Sequence, residues 1–95
     1  MMMPSPDLER FAAIIADNVV SAFERERDGA EFHRTGRETA VSVIVRYLLA
    51  ALPTTSSDAL AAACNRGLDD VVGAMGLSGP RVEGVDPDDG SVTLT

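Results

Sequence analysis

The segment RETAVSVIVRYLLAALP, residues 37–53, decides the reading of this chain. From Ala40 to Leu52 only Ser42 and Arg46 are polar. With Glu38 they recur every fourth residue, so on a helix they form one narrow strip. Val41, Val43, Ile44, Val45, Tyr47, Leu48, Leu49 and Leu52 fill the rest of the circumference. A helix that is apolar nearly all round is a central helix. Two antiparallel neighbours each cover roughly a third of such a helix, which leaves one side open. Four or five aliphatic side chains left wet would each forgo about 1.5–3 kcal/mol of burial. Set against a total stability of roughly 5–15 kcal/mol, that is too much to lose. A second copy of the chain, the C-terminal segment or a foreign partner is expected on that side, and the second copy is the preferred reading.

Working outward, Ser5-Pro6-Asp7 reads as a helix start: N-cap, proline in the first turn, then an acid. Leu8, Ala12, Ile15, Val19 and Ala22 follow at alternating steps of four and three, widened by Phe11 and Phe23. Arg10, Asp17, Ser21 and Glu24 fall on the opposite side, and Gly29 is a candidate cap, giving helix 1 over about 7–27. Ile14 and Val20 lie outside the main stripe, a second hint of association. Thr35-Gly36-Arg37-Glu38 matches a capping box, so helix 2 spans about 36–52 and stops at Pro53. Thr55-Ser56-Ser57-Asp58 is a similar start with Asp in place of Glu. Leu60, Cys64, Leu68, Val71, Val72 and Met75 then mark one face of a third helix over 56–76, ending at Gly76-Leu77.

After residue 79 the character changes. Val82 and Val85, then Val92 and Leu94, flank Asp86-Pro87-Asp88-Asp89-Gly90, a run suited to a tight turn. The expected architecture is therefore mainly α: a three-helix bundle-like domain over 1–79, with a short acidic C-terminal β-hairpin or tail over 80–95. A lone hairpin is marginal in water, so it must dock on the helices or add to a partner's strands.

The 95 residues and 10.0 kDa make one domain with a thin core, built from aliphatic residues because only 4% of the chain is aromatic. All 8 basic residues are Arg, against 15 acids. Residues 1–52 carry 8 acids and 6 Arg, a balance of -2, whereas residues 53–95 carry 7 acids and 2 Arg, a balance of -5. Phosphate binding requires a basic face, so nucleic acid is a poor partner for this chain. Cys64 stands alone and supplies neither an internal disulfide nor a metal cluster; it reads as a small buried hydrophobe. The start MMMPSPDL lacks the basic and apolar regions of a signal peptide. Ala40–Leu52 is too short for a membrane span, which takes about 20 residues. No membrane partner and a cytoplasmic location are expected.

Several chemistries can be weighed. Ala63-x-x-x-Gly67-Leu68 has the small-residue and turn-glycine spacing of a helix-turn-helix. Arg66 stands where that motif packs an apolar residue, and Asp69 and Asp70 would meet phosphate. Counted from Asp86 as a calcium loop, position 5 is Gly90 and the chain ends at position 10, so the shell cannot close. His33 is the only histidine, and catalysis through it and Cys64 ranks last. Acyl carrier proteins are also small, acidic and helical, but their attachment serine sits in Asp-Ser-Leu. Here the order is Ser57-Asp58-Ala59-Leu60, and that role is not carried over.

The reading is a non-catalytic protein-interaction module without cofactor or metal: an adaptor, a small inhibitor or antitoxin-like subunit, or a phage accessory protein. It is expected to act as a homodimer joined through helices 1 and 2, with Val43, Tyr47, Ala50 and Ile14 in the contact. Phe32, His33, Arg34 and Arg37 in the connector are candidates for recognising another protein. Asp86, Asp88 and Asp89 would meet a basic partner surface. The alternative is a dimeric DNA-binding regulator that reads DNA through the Arg34–Arg37 connector.

Overall fold

The computed structural model describes residues 6–26, 34–52, 56–74 and 80–95. Three helices, α1 (Pro6–Glu26), α2 (Arg34–Ala51) and α3 (Ser57–Ala74), are followed by an antiparallel hairpin of β1 (Val82–Val85) and β2 (Val92–Leu94). The mainly-α, three-helix bundle-like architecture with a C-terminal hairpin is the one the periodicities imply. The short connection over residues 52–56 makes α2 and α3 antiparallel neighbours. Helix α2 packs between α1 and α3; β1 lies along α3 and β2 along α1.

The core follows the apolar stripes. Ala12, Ile15, Val19 and Phe23 from α1 meet Ala40, Ile44 and Leu48 from α2 and Leu60, Cys64, Leu68 and Val72 from α3. Val20, outside the main stripe of α1, is fully buried. Among the described residues Ile14, 44% exposed, is the only large apolar side chain left largely in solvent. On α2, Val41, Val43, Val45, Tyr47, Leu49 and Leu52 are half-buried within the single chain, and Ala50 is exposed. The hairpin is not what covers them, because it docks on α1 and α3.

Two helix starts differ from the capping patterns. Helix α2 begins at Arg34, so the backbone of Thr35 already lies within the helix and not before it. Helix α3 is capped one residue later than expected: Ser56 Oγ accepts the Ala59 N–H at 3.3 Å. That shift leaves Ser57 Oγ to accept the Val85 N–H at 3.0 Å. The candidate caps at Gly29 and at Gly76-Leu77 lie outside the described residues.

The hairpin is fastened to the helices by polar groups as well as by Val82 and Val85, which are buried. The Asn65 side-chain amide pairs with Val82 as a neighbouring strand would: Oδ1 accepts its N–H at 2.8 Å, and Nδ2 donates to its carbonyl at 3.0 Å. Arg81 donates to both carboxylate oxygens of Asp69, at 2.7 and 3.3 Å. At the turn, Gly90 adopts φ 77° and packs on Phe11, Ile14 and Ile15, while Asn18 Nδ2 donates to its carbonyl at 2.9 Å. Only glycine combines that backbone conformation with so close an approach.

Candidate functional site

Side chains at positions 43, 47 and 50 point to one side of α2 because they follow helical spacing. Facing them across the α2–α3 seam are Asp70, Val71 and Ala74, at the C-terminal end of α3. Between the two rows runs an open groove of about 650 Å³ with apolar walls, bordered by Thr39 and Arg46 on α2 and Asp70 on α3. Tyr47 stands in the seam: its hydroxyl donates to Asp70 Oδ2, tying α2 to α3. That bond to the carboxylate holds the Tyr47 phenol above its ordinary pKa of 10.0, because ionising it would place two negative charges together. Beside Tyr47 the seam continues as a smaller depression of about 280 Å³ lined by Ala50, Ala51, Ala59, Ala62 and Ala63, with Arg66 at its edge.

Val43, Tyr47 and Ala50 thus share one surface, and the partner wall comes from α3. Ile14 does not join them; it lies on α1 beside Gly90 of the hairpin turn. The α3 residues of the groove were missed in the sequence reading. Val71 and Ala74 look like ordinary helix positions until the rotation of α3 against α2 is known.

Among the connector residues, Phe32 and His33 lie outside the described residues, as does the side chain of Arg34. Arg37 is described, and its guanidinium is engaged by α1. It donates to Asp17 Oδ1 at 2.7 Å, to Ser21 Oγ at 2.8 Å and to Glu24 Oε1. These acids sit on the polar side of α1, so Arg37 fastens the start of α2 to the middle of α1. Arg37 is thus engaged within the chain while its side chain stays 30% exposed.

Asp86, Asp88 and Asp89 are exposed at the hairpin turn. Asp86 Oδ1 accepts the Asp88 N–H at 2.7 Å, and Asp89 Oδ1 accepts the Ser91 N–H at 2.8 Å. The bonds from Ser91 hold the Asp89 carboxyl below its ordinary pKa. These acids shape their own turn while presenting charge outward. Among the described residues no group of three or more His, Cys, Asp or Glu could hold a metal ion.

Cys64 is fully buried, and desolvation pushes its thiol up to about 12. It packs as a hydrophobe and offers no thiolate near neutral pH. Helix α3 runs unbroken through Gly67, so no turn exists at the helix-turn-helix spacing. Among the described residues, no helix is long and apolar enough to cross a membrane. No family model matches the chain, and no curated protein or solved structure matches it.

Proposed function

We propose that this protein is a non-catalytic interaction module, of the adaptor or small-inhibitor kind, that works by presenting its α2–α3 groove to another polypeptide. The observation that carries the reading is the groove itself. Half-buried apolar side chains line it, small residues floor its continuation, and one arginine and one aspartate border it. That is the make-up of a protein-interface centre: an aromatic anchor in an apolar patch with a charged rim. Its shape suits an amphipathic helix laid along two others. The acidic hairpin turn, on a different part of the molecule, remains available to a basic surface.

The test is selection of amphipathic helical peptides from a random library against the whole protein. Peptides that bind the protein are expected to lose affinity for Ala50→Glu, a change at an exposed helical position, and to keep it for Glu83→Gln on the hairpin. Failure to recover any binder, or binders indifferent to Ala50→Glu, contradicts the reading.

A further inference from the structure

We infer that the occupant of the groove is a second copy of this chain. Each copy's α2 would lie along the other's α2–α3 seam, with Arg46 of each against Asp70 of the other. The inference rests on the groove being a docking surface, and it adds the identity of the partner.

Charge is the first argument. Two chains of net charge -7 repel as they approach, and the repulsion is felt over about 8 Å at physiological ionic strength. The charged residues bordering the seam are Arg46, Arg66 and Asp70, with Glu38 at its edge beside Thr39 and Arg46, so this face is neutral on a strongly acidic chain. Elsewhere the strongest concentration of exposed charge is the acidic hairpin, with Glu83, Asp86, Asp88 and Asp89 against Arg81, while on α1 Asp7, Glu9 and Asp17 are partly offset by Arg10 and Arg25. Two copies therefore meet most favourably seam to seam. A basic partner would instead be drawn to the acidic turn.

Self-complementarity is the second argument. A two-fold contact uses one patch twice, so a residue i that meets j requires that j also meets i. The groove has a cation on its α2 wall and an anion on its α3 wall. Arg46 and Arg66 make no ion pair among the described residues. Asp70 uses Oδ2 for Tyr47, and Oδ1 has no partner among the described residues. Laying α2 of one copy along the seam of the other brings Arg46 to Asp70 twice. The alanine floor lets the backbones approach closely, and Tyr47 supplies the anchor of each half.

Area sets the strength. Helices of 18 residues are about 27 Å long, and two side by side span about 20 Å, so each copy buries roughly 500 Å² and the pair about 1,000 Å². That is the lower edge of specific interfaces, the size class of weak, reversible association.

Sedimentation equilibrium tests this. The wild-type chain is expected to dimerise weakly and reversibly, and Arg46→Glu and Asp70→Arg each to weaken self-association about 10- to 100-fold, because each places like charges together twice. Mixed in equal amounts, the two variants are expected to associate again. The carboxylate introduced at position 46 of one then meets the guanidinium introduced at position 70 of the other, and the second contact is the native Arg46 with Asp70. Thermal melts of each variant confirm that both remain folded. Variants that self-associate like the wild type, or a mixture that fails to recover association, overturn the inference. A wild-type chain monomeric to millimolar concentration overturns it too. The groove reading would stand in that case if library peptides still distinguish Ala50→Glu.

Discussion

The backbone of Gly67 lies directly on Ile44. A Cβ placed on Gly67 would come 2.7 Å from Ile44 Cγ1 and 2.9 Å from Ile44 Cα. The Cα belongs to the backbone of α2 and cannot swing aside as the end of a flexible side chain can. Gly67 is what lets α2 and α3 close on each other, and so it sets the width of the seam beside Tyr47.

Gly67→Ala is expected to lower stability by about 1–3 kcal/mol through overpacking, despite the roughly 1 kcal/mol that alanine gains over glycine inside a helix. Gly73→Ala, six residues on in the same helix with nothing near its Cβ, is the control, expected to stabilise by up to about 1 kcal/mol. Urea unfolding of both variants reads the difference, and equal effects at 67 and 73 would refute the close approach.

Asn65 stands in for a third strand beside β1. Asn65→Ala leaves the Val82 N–H and carbonyl without partners and is expected to cost about 1–3 kcal/mol. Amide hydrogen exchange at Val82 should accelerate more than exchange in α2. Unchanged protection at Val82 would show that burial alone holds the hairpin in place.

Cys64 makes stability depend on alkaline pH. Its folded pKa lies at about 12, above the ordinary value of 9.0. A group whose folded pKa is raised contributes its full share below the unfolded value and loses it as pH climbs toward the folded one. Stability is therefore expected to fall between about pH 9 and pH 12, and Cys64→Ala to flatten that part of the profile. A thiol reagent at pH 8 should react with Cys64 only at the rate of unfolding. Prompt labelling of the native protein would contradict the burial.

Tyr47 is the only tyrosine of the chain, so its ultraviolet titration is unambiguous. Its phenol is expected to titrate above the ordinary value in the native protein and to move down toward it in Asp70→Asn. A titration unmoved by that substitution would mean that the Tyr47–Asp70 bond does not form in solution.

The helices and the hairpin were legible because each carries its own local signal. Leu8, Ala12, Ile15 and Val19 repeat at helical spacing, and Asp86-Pro87-Asp88-Asp89-Gly90 combines the residues a turn requires. Relations between elements were not legible. Asn65 and Ser57 look like polar positions on a helix, and their partners are backbone groups 17 and 28 residues away. Arg37 reads as a free cation in a connector until α1 turns Asp17, Ser21 and Glu24 toward it. Half of the groove could be read from Val43, Tyr47 and Ala50, which share a helical face. Its other wall depends on how α3 is rotated, and a single helix's periodicity does not carry that. Ile14 stood outside its stripe and suggested association, but it lies against the hairpin turn, away from the groove.

The most direct measurement of the central claim is a dilution series followed through backbone amide resonances, from millimolar to low micromolar protein. The account predicts concentration-dependent shifts confined to the seam, at Val43, Tyr47, Ala50, Asp70, Val71 and Ala74, with Glu83 to Ser91 unmoved. Shifts centred on Ile14 and the hairpin turn, or none at any concentration, would contradict it.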